Sequence, residues 1–371
     1  MSEGVLLESK PAAGPETGGD FQVSNAMLLS GRQWVGLGLF AFLFVLFLPA
    51  FWKRIEPLPR LSDVRTPYEL SSDYWLFERL AANAASRCDT LLLGDSVVWG
   101  QYVTREDTLS SRLNALAGRE RFANLGVDGM HPAALAGLIE YHGGALTGKR
   151  VLLHLNPLWM SSLRHDLQGE DEFRFNHPAL VPQFFPRIPC YREEVSRRLG
   201  RVVERYVPFL QWTSHLQLAY FDQTSVPEWT IEHPYQVPLR ALRPELPFSG
   251  ERLQHRPVPW TEQGIVKQDF EWVELERSFQ WRFLRRALNA LQRRGNRVFV
   301  LVGPFNEHLL TEKGREGYAR LREGLARWLR AEGVDHDVPP ALESELYADA
   351  SHPLAEGYRK LAERIFARLS Q

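Results

Sequence analysis

Thr90-Leu-Leu-Leu-Gly-Asp-Ser-Val-Val-Trp-Gly100 is the stretch on which the rest of the chain depends. Four residues that can all be buried run into Gly94, which permits a sharp turn, and the turn presents an acid, a hydroxyl and a second glycine. This is the outline of a strand that ends at a site. With Leu91 to Leu93 as a central parallel strand, Ser96 falls at its carboxyl end, where open α/β sheets keep their ligands. A helix beginning there would aim unpaired backbone N–H groups at an anion formed beside the hydroxyl. Ser96 is therefore a candidate nucleophile in need of a base.

Working outward, strands and helices alternate. Leu109, Leu113 and Leu116 mark one face of a helix, Phe122 to Gly129 is a short strand ending in a glycine turn, and Arg150 to Pro157 is a third strand ending in the amide Asn156. After a long interruption the pattern resumes with a helix over 283–293, a buried strand over 297–304, a helix over 312–331, a short strand near Val334 and a closing helix. The alternation predicts an α/β fold, a three-layer α/β/α arrangement around a parallel sheet. The interruption, from Leu158 to about Gln280, holds many prolines, tryptophans from Trp159 to Trp272, and a helix expected from Glu193 to Tyr206. It reads as an insertion, either a cap offering aromatic faces to a sugar or acyl chain or a unit whose aromatics fill its own core. Arg197, Arg198 and Arg201 on its helix suit an anionic headgroup or glycan, or more simply a solvated face.

At 44% hydrophobic and 24% charged, 371 residues suffice for one large α/β domain or two smaller ones. The net charge of -1 gives no reason to expect a nucleic-acid partner. Two cysteines, Cys88 and Cys190, make neither a disulfide framework nor a thiolate metal site, and whether they pair is left open. No metal and no cofactor is expected. Residues 1–33 read as a disordered tail. Residues 34–52 contain no charge and have tryptophan at both ends, as a transmembrane helix requires. Residues 53–86 read as a Pro-containing linker and a leading helix from Tyr68 to Ala85, and 87–371 as the α/β domain. Arg32 before the span against Lys53, Arg54, Arg60 and Arg65 after it would, by counting, leave the domain in the cytoplasm.

The strand ends suggest acyl transfer. A serine hydroxyl attacks an ester carbonyl, and the backbone N–H groups of Ser96 and Gly129 with the side-chain amide of Asn156 form an oxyanion hole. Near the C-terminus, Tyr347-Ala-Asp-Ala-Ser-His-Pro353 places Asp349 three residues before His352, so that on one tight turn the carboxylate can orient the imidazole. His154 is a rival base, and Asp95 is expected to brace the turn.

In this order the parts resemble the SGNH, or GDSL-type, hydrolase family. The resemblance rests on Gly94-Asp95-Ser96 with Gly100, the glycine of Asn124-Leu-Gly-Val-Asp-Gly129, an asparagine after the third strand, and Asp349-Ala-Ser-His352 before the last helix. It spans Cys88 to Pro157 and Gln292 to the end. The third part departs from the family's Gly-x-Asn-Asp, since this chain has His154-Leu155-Asn156-Pro157. The resemblance implies a flavodoxin-like sheet, Ser96 as nucleophile, His352 as base, Asp349 as its partner, and Gly129 and Asn156 in the oxyanion hole. It also implies a membrane-anchored esterase or O-acyltransferase acting on acyl, above all acetyl, esters of cell-envelope polysaccharide, with the domain outside the cytoplasmic membrane despite the charge count. A carbohydrate or acyl-ester substrate, the bilayer, and a membrane-bound acyl-donor protein are the partners it suggests. The alternatives are a lipase or thioesterase acting on membrane lipid, and a non-catalytic glycan-binding scaffold.

Overall fold

The computed structural model describes residues 29–58, 65–243, 245–246, 253 and 255–369. Most of the expected tail, part of the 53–86 linker and Arg60 lie outside the described residues. Contacts divide the chain into a unit ending at Val45 and a second from Leu46 onward. The first holds most of α1 (Gly31–Ile55), a helix of 25 residues whose most apolar 18-residue stretch has mean hydropathy 2.3 and which is long and apolar enough to cross a membrane. It begins three residues before the expected span and ends three after it.

The second unit is built on five parallel strands. The leading helix starts later than expected: Tyr68 to Leu70 make a 3-10 turn, and α2 (Tyr74–Arg87) begins where the Asp73 carboxylate accepts from Leu76 N. Then follow β1 (Thr90–Gly94), α3 (Ser96–Trp99), α4 (Leu109–Ala117), β2 (Phe122–Gly126), α5 (Pro132–His142) and β3 (Arg150–Leu155). The insertion carries α6 (Val195–Tyr206), α7 (Pro208–Tyr220), α8 (Val226–Glu232) and α9 (Pro238–Ala241). The closing part is α10 (Phe279–Arg293), β4 (Arg297–Val302), α11 (Glu312–Ala331), β5 (Asp335–Asp337) and α12 (Ala355–Leu369).

Strand order is β2-β1-β3-β4-β5, with Thr90 level with Phe122 and Arg150, and Arg150 level with Arg297. Parallel pairing puts every carboxyl end on one edge, and this is the flavodoxin-like order, whose switch point lies between β1 and β3. The strands are apolar on both faces because helices cover both. Leu91, Leu93, Val151 and Val300 pack with residues of α2, α5, α10 and α11, whereas Leu92, Leu152 and Leu301 pack with α4 and α12. Three-layer α/β/α architecture is thus the observed fold. Leu109 and Leu113 turn inward as expected, but Leu116 is exposed, because Gly118 stops α4 before another turn can press it on the sheet.

The tryptophans of the insertion are mostly structural. Trp212 and Trp229 cluster with Trp52 and Trp75, Trp260 packs with Leu309 and Tyr347, and just past the insertion Trp281 of α10 stands edge-on to Trp328. These rings are buried, but they pack on α1, α2 and the closing part of the sheet domain instead of filling a core of the insertion's own. Cys88 and Cys190 are both free and buried.

Candidate active site

Gly94 ends β1 and leaves no room for a side chain, since a Cβ there would meet Val98 and the Cβ of His154. The chain can therefore turn tightly into α3. Asp95 caps that short helix by accepting from Val97 N at 3.1 Å, and Ser96 is its first residue. Among the described residues Ser96 N–H has no hydrogen-bond acceptor. Tyr358 of α12 donates to Val97 O at 2.6 Å and fixes the helix against the last element of the fold.

The turn that leads into α12 brings His352 to Ser96. The turn after Tyr347 closes on itself, with Ala348 N donating to His352 O at 2.9 Å, and Asn306 Nδ2 donating to Asp349 O at 3.0 Å. His352 Nε2 lies 2.8 Å from Ser96 Oγ, and its Nδ1 lies 2.8 Å from both carboxylate oxygens of Asp349. A nitrogen facing a carboxylate carries the proton, so Nε2 is left to accept from the hydroxyl. The Asp349 carboxylate also accepts from Ser351 N at 2.9 Å and His352 N at 3.0 Å. Burial alone would raise its pKa; the charge and hydrogen bond of His352 and the two N–H groups overcome this and hold it at about 2. Burial would likewise depress His352, but Asp349 first, then Asp95 and Asp128, raise it above the ordinary histidine value.

Ser96, His352 and Asp349 are therefore brought together. Asn156 sits at the adjacent strand end, but its side chain is partly occupied. Its Oδ1 accepts from Leu158 N at 3.0 Å and its Nδ2 donates to Asp95 Oδ2 at 2.8 Å, leaving one amide hydrogen. Asp95 also accepts from Trp159 Nε1 at 3.0 Å, and His154 Nδ1 stands 3.1 Å from its other oxygen, an ion-pair distance with the hydrogen-bond direction off line. Burial works against this carboxylate, yet His154, then Asn156 and His352, keep it ionised with a pKa of about 2. His154 Nε2 donates to Gly303 O at 3.0 Å, so the rival base is engaged with Asp95 and a backbone carbonyl on its two sides.

Gly129 has φ +67, a backbone state that glycine adopts without strain, and a Cβ on it would collide with the side-chain amide of Asn176. Its turn is clamped from the insertion. His131 Nε2 donates to Asn176 O at 3.1 Å, His177 Nε2 donates to Asp128 O at 2.6 Å, and Tyr74 OH donates to His177 Nδ1 at 3.0 Å. Burial raises the Asp128 carboxyl despite the nearby His352 and His255 and the Gly129 N–H. The Tyr102 ring lies 5.4 Å from that of His352 and 5.3 Å from that of His255. Asn176 and Tyr102 had no signal in the sequence, because each belongs to a loop placed by contacts distant along the chain; Trp159 was named only among the tryptophans of the insertion and Asp128 only as part of the Gly129 turn.

No protein-family model matches the chain, and no curated protein matches its sequence. Among solved structures it is similar to a protein assigned to the G-D-S-L family of lipolytic proteins from Desulfitobacterium hafniense DCB-2. The match has 11% identity and a TM-score of 0.36, over 76% of this chain and 99% of that one. The likeness is one of outline only, and the chemistry rests on the residues above.

Proposed function

We propose that the protein is a serine esterase or O-acyltransferase that works through an acyl-enzyme on Ser96. One observation carries the reading: an unbroken line from Ser96 Oγ to His352 Nε2 at 2.8 Å and from His352 Nδ1 to the Asp349 carboxylate at 2.8 Å. His352 takes the hydroxyl proton as Oγ adds to the ester carbonyl, and Asp349, ionised throughout, stabilises the imidazolium. The negative oxygen of the tetrahedral intermediate is received by the N–H groups of Ser96 and Gly129 and by the remaining Asn156 amide hydrogen. As the intermediate collapses, the ester C–O bond breaks and Nε2 returns the proton to the departing alcohol. Water or a sugar hydroxyl then gives its proton to Nε2 and attacks the acyl-serine; the bond from the acyl carbon to Oγ breaks, Nε2 returns the proton to Oγ, and an acid or a new ester leaves.

The substrate class we favour is the acetyl ester of a cell-envelope polysaccharide, with the domain held at the outer face of the cytoplasmic membrane by α1. Support comes from the layout, one apolar helix followed by the α/β domain. Acid-quenched reaction with an aryl acetate tests the chemistry: the acetyl group should appear on the Ser96 peptide, and a polysaccharide acceptor should speed its loss if transfer is the natural step. Full turnover by Ser96→Ala would overturn the proposal. A second reading, cleavage of membrane-lipid esters, is favoured by the apolar side chains that α6 turns to the outside.

A further inference from the structure

Helix α6 is inside out. None of its residues is buried, yet its charged side is the one that faces the protein. Arg198 lies over the rings of Phe184 and Tyr191 at 5.0 Å from each centroid. Arg201 donates to Glu193 at 2.9 Å, Arg205 to Ala179 O at 3.0 Å, and Glu204 accepts from Ser214 at 2.6 Å. The solvated arginine face expected from the sequence is thus confined to Arg197. The side turned away carries Val195, Leu199, Val203 and Tyr206, spaced four, four and three residues apart, with Tyr206 71% exposed. An amphipathic helix on a water-soluble surface has the opposite orientation.

A second apolar patch lies on the neighbouring helices. In α8, Trp229 is buried while Ile231 is 78% exposed, and the chain through α9 exposes Tyr235 at 99% and Leu239 at 76%. The elements bearing both patches meet at α7. Helix α6 packs on α7, and Trp212 and Leu216 of α7 share one apolar cluster with Trp229 of α8, Ala241 of α9, and Leu48 and Trp52 from the last turns of α1. Trp52 touches Trp212 and Tyr220 with ring centroids 6.0 Å apart in each case. The helices that carry the outward apolar side chains are therefore packed on the elements that hold the last turns of α1.

We infer that the outward faces of α6, α8 and α9 are seated in the headgroup layer of the bilayer that α1 crosses, so that the insertion is an interfacial membrane anchor. Its inward arginines keep their protein partners, while Leu199, Tyr206, Ile231 and Leu239 reach the acyl boundary, as interfacial helices do. The inference is independent of the chemistry at Ser96.

It is tested on the full chain in nanodiscs of phosphatidylcholine with a minority of phosphatidylglycerol. Nitroxide labels are placed on Leu199→Cys, Ile231→Cys and, as a control, Glu332→Cys, with the unsubstituted protein as a blank for the buried native cysteines. All three variants are first checked for unchanged thermal unfolding. The labels at 199 and 231 should be several-fold more accessible to dissolved oxygen than to a water-soluble nickel chelate, with the order reversed at 332. Nickel preference at 199 and 231 would overturn the inference in favour of water. Shielding from both probes would overturn it in favour of a protein partner or a second copy.

Discussion

Two buried histidines lie among carboxylates, and they differ in what the second ring nitrogen faces. His215 has Nδ1 2.6 Å from Asp73 and Nε2 3.0 Å from Glu56. Glu56 also accepts from Trp52 Nε1 at 3.0 Å and is joined by Arg79 and Tyr220. Both nitrogens of His215 must donate, so the ring is a fixed cation. Burial would lower its pKa, but Asp73 and then Glu56 lift it to about 9. His352 has one nitrogen on Asp349, and its other faces the hydroxyl of Ser96. The same residue types thus build a structural clamp in one place and, on the proposed reading, a proton-transfer line in the other. A carboxylate at both ends holds a proton permanently, whereas a carboxylate at one end and a hydroxyl at the other lets it move.

Substitutions separate the two regions, and the largest effect belongs to the nucleophile. Ser96→Ala should reduce ester turnover about a million-fold with folding intact, because members of such a set act as a unit; steady-state hydrolysis of an aryl acetate measures it. Asp349→Asn should cost about ten-thousand-fold in kcat by leaving His352 in the wrong tautomer, again with unfolding unchanged. His215→Gln should do the reverse. It leaves two carboxylates facing a neutral amide and should cost about 3–5 kcal/mol of stability in denaturant titration, while kcat of the folded fraction stays near wild type.

The pH dependences divide in the same way. Because the folded pKa of His215, about 9, lies above its ordinary 6.5, its contribution is complete below about 6.5 and is lost as pH rises through about 9. The loss should be about 3 kcal/mol and should vanish in His215→Gln, as chemical denaturation across this window would show. The smallest effect is at the other histidine. His352 must be neutral to act as a base, and its raised pKa means that kcat/KM should climb with pH through a midpoint above 6.5. In Asp349→Asn that midpoint should move down.

Much of this was legible because it is local. The Leu91 to Leu93 run, the Gly94 turn and the three-residue step from Asp349 to His352 each fix a geometry within one strand or one turn. The parallel sheet followed from the alternation of elements, whereas the order that puts Ser96 and Asn156 side by side was only implied by the family resemblance. What escaped depends on contacts between distant segments. Asn156 looked like a free amide, but Asp95, on a different strand end, takes one of its hydrogens. The arginines of α6 looked solvated because nothing in their spacing reveals that Phe184 and Tyr191 in the preceding loop lie beneath them. Asn176 reaches Gly129 only because the insertion folds back over the sheet edge.

The central claim, that the hydroxyl at the end of β1 is activated and the clamp at His215 is not part of the chemistry, is tested most directly by a fluorophosphonate probe followed by peptide mass spectrometry. The account predicts phosphonylation on Ser96, lost in His352→Ala and retained in His215→Gln. An unmodified Ser96 in the folded protein, or labelling that survives His352→Ala undiminished, would contradict it.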